Sequence, residues 1–373
     1  MTPRWNRAGT PEETGDGGAV ISTDMIGRFY LAVLLPAALL LAAHPLHLHA
    51  QRRQPVPSDE KQWDLIEKGH RFQDDQDFDA AIEIYLAVLK LNPDNVDAMF
   101  DLASSYYDTG EFRQSLEISR RGTGYESDHL GYFYLMLGTN YDILNEPRKA
   151  VDAYRDGIAV DPGSYLLHYN LGVTYLNMKR PADARESFKR ALTLNPNHAS
   201  SHIGLGQIYF RQGDRVPALM ALGRAAILDP QSGRAEVAAA LIADVLRPAP
   251  GGRGSGDREG NFVAVDALLA TDSGLAGEPW TGELEQTVSR LRIVLGRLRQ
   301  LDASELGSSF AATYYAPYFV QLADHGFVEA FAYHIQQSRG GTEVMRWVTG
   351  NAALLEDFLE WSGGFRWGGR RQE

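Results

Sequence analysis

A tandem repeat runs through the middle of the chain and constrains its fold more than any other feature. Pro162, Pro196 and Pro230 are evenly spaced. A small residue recurs at the eighth place of five successive units, at intervals of 34 or 35: Gly69, Ala103, Gly138, Gly172 and Gly206. An aromatic residue recurs at the eleventh place: Phe72, Tyr106, Tyr141, Tyr175 and Tyr209. Such repetition predicts stacked supersecondary units.

Each recurring residue suits a unit of two helices joined by a turn. A second set of small residues occupies the twentieth place: Ala81, Ser115, Ala150, Ala184 and Ala218. Small residues at the eighth and twentieth places are expected to let the two helices cross closely, while the aromatic residues fill the space between pairs. The proline ends the second helix. The sequence therefore predicts an all-α superhelix over residues 62–246, with a capping helix from Gly233 to about Leu246.

The unit resembles the tetratricopeptide repeat, most closely from Tyr169 to Pro196, where the sequence reads YNLGVTYLNMKRPADARESFKRALTLNP. The resemblance implies a concave groove, lined by the second, fifth, ninth, twelfth and thirteenth places, that binds a peptide or protein. In this chain the second, fifth and twelfth places are rich in apolar residues. The predicted peptide-groove residues are Trp63, Ile66, Phe100, Tyr107, Tyr132, Leu135, Tyr169, Leu176, Ile203 and Phe210.

Two details refine this expectation. No fifth place holds a lysine, so the clamp with which some family members grip a C-terminal carboxylate is not predicted. The second unit has Gly122 where alanine is usual, lacks its terminal proline and gains one residue. An irregular turn is therefore expected from Arg121 to Asp128. Two occupants of the groove stay open: a segment of a partner, or the protein's own C-terminal region.

Residues 1–61 are expected to lie outside the repeats. Residues 1–24 are polar and aperiodic, which predicts a disordered segment or an extension upstream of a start at Met25. Residues 25–50 combine a short basic start with an uncharged run from Phe29 to Ala43, as in a secretory signal peptide or a membrane anchor. The protein is therefore expected to be exported, to the periplasm or the envelope. Residues 51–61 read as a polar linker.

The C-terminal third is expected to form a smaller helical domain. Residues 247–260 are rich in glycine and proline and read as a linker, and residues 363–373 as a flexible tail. Between them, residues 261–362 show helical periodicity, including an apolar stripe from Leu284 to Leu298. Asp302 and Glu305 have the spacing of a helix-capping pair.

The sequence contains few candidates for a catalytic, cofactor or metal site. The formal net charge of −12 disfavours nucleic acid as a partner, and the absence of cysteine excludes thiolate sites and disulfides. Asp75, Asp77 and Asp79 alternate as in a calcium loop, but Ala80 and Leu86 replace the required Gly and Glu. No catalytic, cofactor or metal site is predicted. The expected function is a protein-binding scaffold of the cell envelope; the alternative is an enzyme whose site lies in residues 261–362.

Overall fold

The computed structural model describes residues 52–228, 230–247, 261–270 and 282–367. Five helix pairs follow one another along the chain. Their first helices are α1 (Glu60–Asp74), α3 (Val96–Asp108), α5 (Leu130–Ile143), α7 (Tyr165–Asn177) and α9 (Ala199–Gln212). Their second helices are α2 (Phe78–Leu91), α4 (Phe112–Gly122), α6 (Pro147–Val160), α8 (Pro181–Leu194) and α10 (Arg215–Leu228). A further helix, α11 (Gly233–Leu246), follows the fifth pair.

The pairs stack in sequence order, since each helix packs against the one before it and the one after it. Within the described residues there is no β-strand, and only one isolated bridge, between Arg53 and Tyr125, has β geometry. The predicted all-α superhelix, with five repeats and a capping helix that begins at Gly233, is therefore confirmed.

The contact that the eighth-place glycines make differs from the one predicted. A Cβ atom on Gly69 would lie 2.5 Å from the Tyr85 ring, and one on Gly172 would lie 2.8 Å from the Phe188 ring. Both aromatic residues occupy the twenty-fourth place of their unit. The eighth place therefore admits the late aromatic ring of the second helix, a contact that the prediction omitted. The predicted meeting of the eighth and twentieth places occurs in the second repeat, where the Ser115 hydroxyl donates to the Ala103 carbonyl at 2.8 Å.

The second repeat ends irregularly, as predicted. Helix α4 stops at Gly122, and the turn that follows buries Tyr125 before α5 begins at Leu130. A Cβ atom on Gly122 would lie 2.5 Å from the Phe133 ring, which explains why alanine is absent there. The Arg53 amide donates to the Gly124 carbonyl at 2.9 Å.

Residues 53–59, part of the predicted linker, lie against the first two repeats. The side-chain amide of Asn92 donates to the Val56 carbonyl at 3.1 Å, and that of Asn95 to the Ser58 hydroxyl at 2.7 Å. Asp59 then caps α1 by accepting from the Gln62 amide at 2.8 Å. The segment is thus anchored by polar contacts up to the first helix.

The C-terminal region is helical in its described parts. Its helices are α12 (Val263–Ala270), α13 (Glu283–Leu298), α14 (Ala303–Leu306), a π-helix (Ala311–Tyr315), α15 (Ala316–Asp324), α16 (Val328–His334), a 3-10 turn (Gln337–Arg339), α17 (Thr342–Gly350) and α18 (Ala352–Gly364). The predicted capping pair is present: the Asp302 amide donates to Glu305 at 2.8 Å, and the Glu305 amide donates to Asp302 at 2.9 Å.

These C-terminal helices share one apolar core with the last three repeats. Helix α10 is buried on every side from Val216 to Ile227. Phe319 and Phe331 pack against Gly223, where a Cβ atom would lie 2.8 Å from the Phe331 ring. The capping helix α11 also contacts α13 and the 3-10 turn. A smaller, separate core contains residues of the first two repeats and Phe133 of the third.

Several predicted segments fall outside the described residues. They are residues 1–24, the segment 25–50, most of the 247–260 linker, and the tail beyond 367. Within the described ranges, no helix combines the length and apolar character needed to cross a membrane.

Candidate functional site

The first helices of the repeats carry the predicted groove residues. Trp63 is 47% exposed, whereas Ile66 is fully buried and belongs to the core of the first repeats, so its assignment to the groove was wrong. Ile203 retains 9% of its surface. The other seven residues are half-buried, so each exposes part of its side chain: Phe100, Tyr107, Tyr132, Leu135, Tyr169, Leu176 and Phe210.

An aromatic cluster forms where the second and third repeats meet. The ring centroids of Phe100 and Tyr132 are 4.3 Å apart, and His129 stacks on Phe100 at 4.3 Å. Tyr107 lies farther along α3 and meets the edge of Phe112 at 5.6 Å. The repeat period therefore brings Phe100 and Tyr132 into contact from neighbouring units.

Two histidine–aspartate pairs border this cluster, and sequence analysis predicts neither. His70 Nε2 lies 2.8 Å from the Asp101 carboxylate, and His129 Nε2 lies 3.1 Å from that of Asp97. Burial raises the pKa of Asp101, and the hydrogen bond with His70 opposes that rise. Each pair joins successive repeats, a separation along the chain that a search for local motifs does not detect.

A cleft of about 680 Å³ opens among the first helices of the last two repeats and α11. Three predicted groove residues line it together: Tyr169, Leu176 and Ile203. The Tyr169 ring is held by Phe188, at 5.9 Å, and by the edge of His198, at 4.6 Å. The cleft is thus a concave, mostly apolar surface whose shape is set by packed rings.

The same cleft contains residues that the prediction omitted. Val173 and Gln207 occupy ninth places, which the family pattern assigns to the groove. Gly204 lines the cleft, and a Cβ atom there would lie 2.7 Å from the Phe188 ring. Val237 comes from α11, which the sequence predicts only as a solvated cap.

The C-terminal helices approach the repeats mainly from another side. They contact second helices, since the Tyr314 hydroxyl donates to the Leu192 carbonyl at 3.3 Å and the Lys189 ammonium lies 5.6 Å above the Phe310 ring. They also contact the first helix α9 through His202. Among the described residues, no hydrogen bond or ring contact joins any of the ten groove residues to 261–367, and the cleft is lined by repeats and α11. The described C-terminal helices leave this cleft open.

Asp77 of the calcium-like pattern and two histidines of the C-terminal region have structural partners. Asp77 caps α2 by accepting from the Ala80 amide at 3.2 Å. His334 is buried, with Nε2 3.5 Å from the Ile227 carbonyl and Nδ1 3.0 Å from the Gln337 amide nitrogen. His325 lies 2.7 Å from the Gln321 carbonyl. In the part of the chain that the structure describes, no three histidine or acidic side chains are grouped as metal ligands.

Comparison with known families identifies the repeats. Residues 72–135 and residues 165–198 each match a family model described as tetratricopeptide repeat. These segments are tetratricopeptide repeats. The first match contains the Phe100–Tyr132 cluster, and the second contains Tyr169 and Leu176 of the cleft. The resemblance to the tetratricopeptide repeat that was inferred from the sequence is thus confirmed for these two segments.

Solved structures of helical repeat proteins are similar to about half of this chain. MamA is 24% identical, with a TM-score of 0.41 over 47% of this chain and 97% of that chain. TTC0263, a thermophilic TPR protein of Thermus thermophilus, is 21% identical, with a TM-score of 0.40 over 50% and 98%. YrrB, described as a TPR protein with an unusual peptide-binding site, is 18% identical, with a TM-score of 0.38 over 47% and 89%. Among the curated proteins, none matches.

Proposed function

We propose that the protein is an interaction scaffold that binds a segment of a partner polypeptide along the first helices of its tetratricopeptide repeats. The observation that carries this is the open apolar cleft around Tyr169, Leu176 and Ile203. A cleft of this size, walled by packed aromatic and aliphatic side chains, suits the apolar side chains of a bound peptide.

Packing explains why this surface is available. The C-terminal helices cover the second helices of the last repeats, above all α10. The apolar faces of these second helices are therefore buried inside the protein. The first helices keep half-buried aromatic residues on their open side, a pattern typical of interaction surfaces. The place in the cell envelope rests on residues 25–50 alone, and the alternative of an enzyme in 261–362 has no supporting contact in the described helices; both stay predictions.

Selection of peptides tests the proposal. Short random peptides are displayed and selected on the wild-type protein, and the affinity of the enriched peptides is measured for variants. Tyr169→Ala should weaken binding at least about tenfold, because truncating a central aromatic anchor commonly costs about 2 kcal/mol or more. Phe100→Ala reports whether the peptide also reaches the first repeats.

A matched control separates the cleft from apolar surface in general. Leu91→Ala removes a side chain that is 52% exposed on α2, a second helix, and should leave the affinity unchanged. Circular dichroism confirms that each variant is folded. Peptides that bind wild type and Tyr169→Ala equally, with both folded, would show that the cleft is not the binding site.

A further inference from the structure

A second cavity, of about 530 Å³, adjoins the apolar cleft where the last repeat meets α18. Ser200 and Arg234 line both cavities, so the two cavities are neighbours. The repeat array contributes Asn197, His198 and Arg224 to the second cavity, and α18 contributes Ser362. Repeats and C-terminal helices therefore build this cavity together.

Arg224 is the unusual residue of this cavity. It is only 6% exposed, and its guanidinium lies 4.6 Å above the Trp367 ring and donates to the Asn197 side chain at 2.8 Å. Its Nε is buried without a hydrogen-bond partner. Burial lowers the pKa of Arg224, and no described carboxylate acts on it; the nearby groups that do are tyrosine hydroxyls. A buried cation without a counter-charge is costly, so an anion in the cavity would stabilise it.

Other groups around the cavity add to its positive potential. Arg234 is exposed and lines the cavity. Burial lowers the pKa of His198 most, and the positive charge of Arg234 lowers it further. Ala199 and Ser200 belong to the first turn of α9, where unpaired amides and the helix dipole favour an anion. No aspartate or glutamate is among the described residues that line the cavity.

We propose that this cavity binds a carboxylate of the partner segment that occupies the adjoining cleft, supplied by an acidic residue next to an apolar one. This inference rests on the proposed function and gives the partner its chemistry. The cavity's arginines lie on α10 and α11, away from the fifth places of the repeats. A guanidinium forms charge-assisted hydrogen bonds with a carboxylate, and stacking on Trp367 holds the guanidinium of Arg224 in place at this cavity.

The test uses the full chain and the peptides selected on it. The most enriched peptide is synthesised with each Asp or Glu in turn replaced by Asn or Gln. On the wild-type protein, the copy that lacks the carboxylate bound in the cavity should bind about tenfold more weakly than the original acidic peptide. On Arg234→Gln, the difference between the acidic and neutral copies should become smaller, because one of the two arginines of the cavity has lost its charge. Arg224→Gln should act in the same way, and Arg234→Gln serves if the buried change prevents folding.

Controls separate this inference from the proposed function. Arg113→Gln removes an exposed arginine on α4, far from the cavity, and should preserve the preference for the acidic peptide. If acidic and neutral copies bind equally on wild type, the carboxylate site is overturned while cleft binding stands. If no peptide is selected, the proposed function fails.

A free anion is the remaining alternative. Thermal unfolding is measured with sodium phosphate or acetate against chloride at constant ionic strength. Stabilisation by phosphate that Arg234→Gln abolishes, together with peptides that show no acidic preference, would assign the cavity to a free anion and overturn the proposal.

Discussion

His202 shows how a single neutral side chain joins the repeats to the C-terminal helices. It is fully buried, and its Nδ1 lies 2.7 Å from the Tyr315 hydroxyl and its Nε2 2.9 Å from the Pro196 carbonyl. A carbonyl only accepts hydrogen bonds, so Nε2 carries the proton and Nδ1 is left to accept from Tyr315. Burial, more than the nearby Arg224, lowers the pKa of His202 to about 3.

This shift makes the protein sensitive to acid. Because the pKa falls below its usual value near 6.5 on folding, protonation favours the unfolded state. The contribution of neutral His202 to the free energy of unfolding is complete above about pH 6.5. It falls by about 1.4 kcal/mol per pH unit as the pH decreases toward 3. His202→Gln, which keeps a donor for Pro196, should flatten the fall in unfolding free energy between about pH 6.5 and 4.5. The measurement is urea unfolding at several pH values.

Other buried or half-buried histidines contribute to the same pH dependence. His168, His198 and His334 also have lowered pKa values, so part of the acid sensitivity should remain in His202→Gln. A pH profile identical to that of wild type would mean that His202 is not held neutral by its surroundings.

At the scale of elements, a repeat can depend on one glycine that admits an aromatic ring. In the fourth repeat, Gly172 lets the Phe188 ring approach to 2.8 Å from where a Cβ would stand. Gly172→Ala gains up to about 1 kcal/mol of helix propensity, but overpacking costs about 1–3 kcal/mol. We expect a net loss of unfolding free energy in denaturant titrations. Gly233→Ala, in a helix with nothing within 4 Å, should be neutral or stabilising.

The same contact marks the boundary of what the sequence predicts. The spacing of Gly69, Ala103 and the later small residues predicts the helix pairs and their order, because a repeat array needs a small residue at the same place in every unit. It does not identify the ring that fills the space, since Tyr85 lies on the partner helix and the side-chain direction is set by packing. The ten groove residues follow from repeat places, yet Ile66 is buried within the core of the first repeats.

The second cavity lay beyond sequence analysis for a different reason. Arg224 and Ser362 are distant in the sequence, and their meeting depends on how α18 packs against the last repeat. No spacing rule links an irregular helical region to a repeat array. In the C-terminal region the periodicity predicted helices, from the Leu284–Leu298 stripe to the Asp302–Glu305 cap, but not their contacts with α10.

At the scale of the whole molecule, two larger cores divide the described residues. One contains the first two repeats, including Leu102, together with Phe133 of the third repeat, and the other runs from the second helix of the third repeat to Phe358. Repeat arrays open locally, since each unit contacts only its neighbours. The larger core breaks that rule, because α10 packs against helices that lie much farther along the chain. The last repeats and the C-terminal helices should therefore unfold as one unit.

Phe331 tests that cooperativity, because its ring is fully buried against Gly223 of α10. Phe331→Ala should cost about 3–5 kcal/mol and speed hydrogen exchange in α10 as much as in α16, while α2 stays protected. Leu102→Ala, in the other core, should instead loosen α1 to α4 and leave α10 protected. Faster exchange confined to α15–α18 in Phe331→Ala would show that the C-terminal helices form an independent domain. Shared opening would mean that any partner that stabilises the last repeats also stabilises the C-terminal helices, since one folded core carries both walls of the proposed anion site.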